Sequence, residues 1–380
     1  MRLRKSSKLF LLFVGSGFVA AGMLAVLRFN DRPEPWMTYR YPAAAGVVSL
    51  EFDSDPDREI RFYEARMAAH PESALELADL AGAYREKAKR DGDPEWFEKA
   101  RQTAEKSLQL LPHFNLGAKR ILANLAQDRH DFATALSLAN EILQEKPSHT
   151  EALSLIVTGD LGLGKVPQAL AAADQLVRRI PGIGSFALRA LVHWEAGREA
   201  EALVDFKRAI LSEDYGDPES SAWVRTLLGR CHLKKGRLQT ARFLFQEALR
   251  IRRDYPFAMG LLAEVEVQTG NLPFGEKLYR RAFELSREPS YRVDLGAALA
   301  AADRREEAEL LWREAEAQMR EDLKSNPYGH RGELVHLLLN RGRREDFPEA
   351  VALAEAEAKG RHNRETMETL AWARRMSRPF

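Results

Sequence analysis

A spacing of 34 residues constrains this chain more than any other feature. The triplet Ala135, Ala139, Pro147 returns as Ala169, Ala173, Pro181 (169 − 135 = 173 − 139 = 181 − 147 = 34). Ala100, Ala104 and Pro112 stand 35 residues before the first set (135 − 100 = 35). Farther along, Gly236, Phe245 and Ala248 are matched by Gly270, Tyr279 and Ala282 (270 − 236 = 34). Ala308, Trp312 and Ala315 follow after 33 (315 − 282 = 33), and Ala202, Phe206 and Ala209 fill the gap between the two sets. A small–aromatic–small pattern at this period points to two helices per unit. The small residues let antiparallel helices approach, and the aromatic ring fills the space to the next unit. One such unit has too little apolar surface to stand alone, so neighbours must stack into a continuous core.

Five of the units carry a second mark ahead of this pattern, a large residue followed by a small one. It appears at Leu80-Ala81, Leu122-Ala123, Leu228-Gly229, Leu262-Ala263 and Leu295-Gly296, and glycines fall between the helices at Gly164, Gly197, Gly236 and Gly270. These motifs resemble the tetratricopeptide repeat over most of residues 57–380. The resemblance implies an all-α fold, a right-handed α-solenoid of about eight helix pairs whose first helices line a concave groove. Second-helix anchors fall at Ala100, Ala135, Ala169, Ala202, Ala241, Gly275, Ala308 and Ala350. Residues 57–71 read as an N-terminal capping helix and 365–376 as a closing one. Two stretches exceed the period, "REKAKRDGDPEWFEK" before Ala100 and "SEDYGDPESS" before Ala241, and both are expected to be loops.

The N-terminus divides into three parts. Residues 1–8 are basic, with Arg2, Arg4, Lys5 and Lys8, and Leu9–Leu27 is an uncharged apolar run of 27 − 9 + 1 = 19 residues. A helix needs about 20 apolar residues to cross a bilayer. The run is therefore expected to be a transmembrane signal anchor, with a cleaved signal peptide as the alternative. The basic flank keeps the N-terminus cytoplasmic and puts the repeats on the other side, the periplasm in a bacterium. Residues 28–56, with Pro33, Pro35 and Pro42, read as an extended linker.

Charge and composition restrict the chemistry. Lys+Arg of 57 against Asp+Glu of 56 leaves no electrostatic footprint for nucleic acid. A single cysteine, Cys231, excludes an intrachain disulfide and a thiolate metal cage. "GLGKVP" lacks the phosphate-cradling frame, and Gly164 within it sits at a repeat turn. Asp53, Asp55, Asp57, Ile60 and Glu64 match a calcium-loop template, but Arg58 stands where a sharp turn needs glycine. The competing reading is a helix start, with Asp55 as N-cap and Pro56 in the first turn. The histidines show no metal-ligand spacing, and His193 and His232 fall at packing positions. No catalytic set, metal, cofactor or small-molecule substrate is expected.

Binding is then the expected function. In the resembled family, ligands lie on fixed positions of the first helices. Those positions here hold Arg120 and Asn124 in the second unit and Trp194 in the fourth. In the fifth they hold Trp223, Arg230 and Lys234, and in the sixth Phe257. Aromatic and arginine anchors are what a peptide-binding surface needs. Arg120 and Asn124 match part of a two-carboxylate clamp, but Ser154, Thr158, Ala187 and Leu191 stand where its other members belong. The sequence thus leads to a membrane-anchored scaffold that holds a protein partner and aids assembly of a cell-envelope complex. A non-catalytic subunit of a membrane enzyme or secretion complex is the alternative, and a calcium-regulated protein or enzyme the remotest.

Overall fold

The small residues at period 34 all lie where two helices meet. A computed structural model describes residues 31–42, 55–214, 216–325 and 329–378. The apolar run 9–27 and Asp53 lie outside the described residues. A cap, α1 (Pro56–Ala69), precedes eight helix pairs. They are α2 (Ala74–Asp91) with α3 (Pro94–Leu110), α4 (Leu116–Asp128) with α5 (Phe132–Glu145), α6 (Thr150–Gly162) with α7 (Val166–Arg179), and α8 (Ile183–Glu195) with α9 (Glu199–Leu211). Then come α10 (Pro218–Lys234) with α11 (Leu238–Ile251), α12 (Pro256–Gln268) with α13 (Leu272–Ser286), α14 (Ser290–Ala301) with α15 (Arg305–Ser325), and α16 (Arg331–Arg341) with α17 (Phe347–Gly360). The closing helix is α18 (Arg364–Met376). Each helix packs on its chain neighbours, as a solenoid requires.

All eight anchors are buried, and the rings between them are sealed, with Phe206 and Phe245 fully buried and Tyr279 and Trp312 nearly so. Phe245 lies on the bare face of Gly229, where a Cβ would come within 2.5 Å of the ring, and Trp312 lies on Gly296 in the same way. The large–small mark on the first helix is therefore a seat for an aromatic ring. The four turn glycines have positive φ, and His130 and Asp303 occupy the same turn conformation in units without one.

Of the two stretches expected to be loops, the first is not one. Its extra residues lengthen α2 and α3, which are separated only by Gly92 in the left-handed conformation and the N-cap Asp93. The second is a loop only at residues 212–214 and 216–217, and its remainder extends α10 at the front. The calcium template also gives way to the helix start. Asp55 accepts from the N–H of Asp57, and residues 56–64 are helical and so do not wrap a cation. Asp57 bonds Lys87 and Arg90, which hold its carboxyl down at about 2.

The linker brings a further difference. Residues 31–42 do not stand away from the solenoid but lie along its outer face between α9 and α11. Met37 is buried there with Phe206, Ile210, Val224, Leu228 and Leu244. Local composition reads this Pro-rich segment as extended, and contacts with residues some two hundred positions away decide its conformation.

Candidate functional site: the closed channel

The first helices line a concave face, and its depth comes from how tightly the stack coils. One closure joins the first unit to the sixth: α2 touches α13, and a Cβ on Gly92 would meet the Ser286 carbonyl at 2.4 Å. The other joins the C-terminal end to units 3, 4 and 5. The His362 N–H donates to the Gly162 carbonyl at 3.1 Å. The Arg364 N–H and guanidinium donate to the Glu195 side chain (2.9 Å) and carbonyl (2.8 Å). Glu365 pairs with Lys234 at 2.9 Å. The start of α18 thus crosses the concave face and turns a groove into a channel.

Two half-open cavities flank this crossing. One of about 850 Å³ lies among α10, α12, α14, α16 and the start of α18, walled by Arg230, Phe257, Tyr279, Tyr291, Glu264 and Asp294 among others. The other, about 670 Å³, has Phe132, Leu191, Trp194 and Trp372 on its walls. They share Arg230, Lys234, His336, Arg361, Glu365 and Thr369.

The channel is electrically two-sided. Arg230, Lys234 and Arg361 form the basic side, where Arg230 lies over the Phe257 ring. Burial would raise the carboxyl of Glu365, but Lys234, Arg230 and Arg361 hold it at about 2. Glu264, Glu288, Asp294 and Glu333 form the acidic side. Burial pushes Glu264 and Glu288 up, and burial plus its three acidic neighbours brings Asp294 to about 7. Like carboxylates gathered along one wall of the channel repel one another, although Asp294 stays open to solvent.

Not every residue that the sequence nominates reaches these cavities. Arg230, Lys234 and Phe257 wall the first, and Trp194, Arg230 and Lys234 the second. Trp223 is half-buried between two core clusters, and Arg120 pairs with Glu151 on the next first helix at 3.1 Å. Arg120, Asn124 and Trp223 wall neither cavity. Glu264 is a residue that the sequence reading passed over although the signal was present. It occupies the slot of Arg230 one repeat later (264 − 230 = 34). Asp294, Glu288 and Glu333 lie outside the ligand slots of the resembled family and gain their place only from the coiling.

The closure also yields a prediction. Gly164 has φ +70°, and a Cβ there would lie 2.5 Å from the His362 carbonyl. Gly164→Ala is expected to cost about 1–2 kcal/mol from the left-handed backbone alone and to loosen α18. Hydrogen exchange at residues 361–366 should rise in this variant, while exchange in α2 and α3 stays as in the wild type. Equal protection in both proteins would show that the closure tolerates the methyl group.

Fold and channel together define an all-α solenoid of stacked helix pairs. Residues 185–254 match the family model described as tetratricopeptide repeat. No curated protein matches the chain by sequence. Among solved structures, a chain of the APC/C hetero-tetramer Cut9–Hcn1 is similar over 83% of this chain, with a TM-score of 0.52 and 13% identity. This chain spans 59% of that one's length, and at such identity the likeness shows the fold alone. TTC0263, a thermophilic TPR protein of Thermus thermophilus, is 22% identical over 49% of this chain and 99% of its own, with a TM-score of 0.42. MamA is 17% identical over 44% of this chain and 97% of its own, with a TM-score of 0.37.

Proposed function

We propose that this protein is a membrane-anchored, non-catalytic scaffold that holds an extended segment of a partner protein in its channel and aids assembly of a cell-envelope complex. The observation that carries this reading is the channel itself, an open space walled by Trp194, Phe257, Tyr291 and Arg230 and divided into a basic and an acidic side. Aromatic and arginine side chains on preformed helices offer anchoring with little ordering cost. A Lys or Arg of the partner beside Glu264 and Asp294 would relieve their mutual repulsion. Binding of such a segment is expected to weaken as pH falls through about 7, because Asp294 then takes up a proton and the site loses negative charge. The anchor, residues 9–27, would concentrate the scaffold at the membrane where that partner is assembled.

The test compares what co-purifies with the full chain and with a Trp194→Ala, Arg230→Ala, Phe257→Ala version from solubilised membranes. Loss of a partner from the substituted version alone supports the channel, and retention of the same partners by both overturns it. The alternative, a structural subunit, draws on exposed Leu75, Leu110, Leu111 and Phe114 around the first unit. It would gain if Phe114→Asp, and not the channel version, released the partner.

A further inference from the structure

The segment ahead of the first helix is a strap, and its path fixes how the solenoid is presented. Arg237, at the cap position of α11, offers no acceptor to the free N–H groups there. Asp31 supplies it from across the chain, accepting from Gln239 N–H at 2.7 Å and Thr240 N–H at 3.1 Å. The strap then follows α11 downward past buried Met37. At the far end the Tyr41 N–H donates to Glu247, its carbonyl accepts from Arg250, and its hydroxyl donates to the Asp214 carbonyl. Asp214 belongs to the loop ahead of α10, so that departure from the repeat period serves as the strap's lower bracket.

The chain therefore reaches the strap at the edge where first helices turn into second ones. Residues 28–30 alone separate Asp31 from the apolar run ending at Leu27. Four extended steps reach at most ~14 Å, whereas a 14-residue helix such as α11 sets the two edges of the solenoid ~21 Å apart. We propose that the strap turns the first-to-second-helix edge of units 3 to 5 toward the bilayer surface and holds it there, with the opposite edge away from the membrane. This rests on the reading of residues 9–27 as a membrane span. The edge carries exposed Lys165, Arg198 and Lys235 at three successive turns, beside the start of α18, which packs on the same helix ends through His362, Arg364 and Glu365. Glu199, shared by Lys235 at 3.2 Å and Arg237 at 2.6 Å, offsets one charge, and Asp31 and Glu34 of the strap add acidic groups. Acidic groups on the same edge offset most of these cations, so the short tether and not headgroup attraction sets which edge faces the bilayer.

Single-cysteine labelling of the full chain reads the orientation. Cys231 is buried and its thiol pushed up to about 12, so it stays silent. A fluorophore on Arg198→Cys marks the near edge and one on Arg253→Cys, in the loop after α11, the far edge. Both proteins are reconstituted in phosphatidylcholine–phosphatidylglycerol vesicles carrying a headgroup nitroxide. Quenching is expected to be at least about two-fold stronger at position 198 than at 253, given the ~20 Å between edges. Adding Met37→Asp and Asp31→Ala to both should erase the difference while the helical circular dichroism is retained. Flotation with equal quenching at both positions overturns the orientation, as does a difference that survives loss of the strap. Failure of the full chain to float overturns the anchor reading and this inference with it.

Discussion

Arg225→Ala is expected to destabilise the protein by about 3–5 kcal/mol, the range seen when one partner of a buried ion pair is removed. The Arg225 side chain is fully buried and that of Glu213 is 5% exposed. The guanidinium bonds both Glu213 oxygens, the Ser221 carbonyl (3.1 Å) and the Tyr39 carbonyl of the strap (3.3 Å). Truncation strands a carboxylate in a place water reaches poorly and removes one of the strap's lower contacts, while those of Tyr41 remain. Denaturant unfolding should show the loss, and limited proteolysis should cut residues 38–42 faster than in the wild type. Arg225→Met with Glu213→Leu separates charge from packing, because replacing the whole pair by apolar groups is often neutral. That double variant should recover most of the stability yet keep part of the proteolytic sensitivity, since the Arg225 bond to the Tyr39 carbonyl is not restored. A cost for Arg225→Ala below about 1 kcal/mol would mean that Glu213 finds water.

What the sequence revealed, and what it hid, divides along contact range. The anchors Ala100 to Ala350 were legible because the approach of two antiparallel helices fixes residue size at a set position, whatever the rest of the chain does. The long stretch before Ala100 misled because excess length was equated with loop. The signal against it was local: Gly92 followed by Asp93 and Pro94 spells one tight stop and start, so the surplus had to lengthen α2 and α3. The strap and the closures were not legible. Asp31 with Thr240, and Gly162 with His362, meet only because of the rotation accumulated over several units, and no 34-residue window records that angle. The channel falls between the two cases. Arg230 and Glu264 share a repeat slot, whereas Asp294 and Arg361 join them through the coiling alone.

Phe245→Ala tests what holds the stack together and is expected to cost about 3–5 kcal/mol, as for other fully buried rings. Phe245 is fully buried and fills the seat left by Gly229, with Leu233, Ala241, Leu262 and Val265 in the same cluster. In an array where each unit leans on its neighbours, a void at unit 5 weakens the link between units 1–4 and 6–8. The unfolding transition should therefore broaden, with a smaller denaturant slope, as well as shift. Gly229→Ala approaches the same contact from the other side. Alanine gains about 1 kcal/mol of helix propensity, but its Cβ would press to 2.5 Å from the ring. Overpacking costs about 1–3 kcal/mol, so this variant too should be less stable. Combined with Phe245→Leu it should lose less than the sum of the two single changes, because the smaller side chain makes room for the methyl group. Additive losses would show that the ring and the glycine do not share a seat. A transition in Phe245→Ala that shifts without broadening would place the cooperativity in the long-range closures at Gly92 and Gly164 rather than in stacking between neighbours.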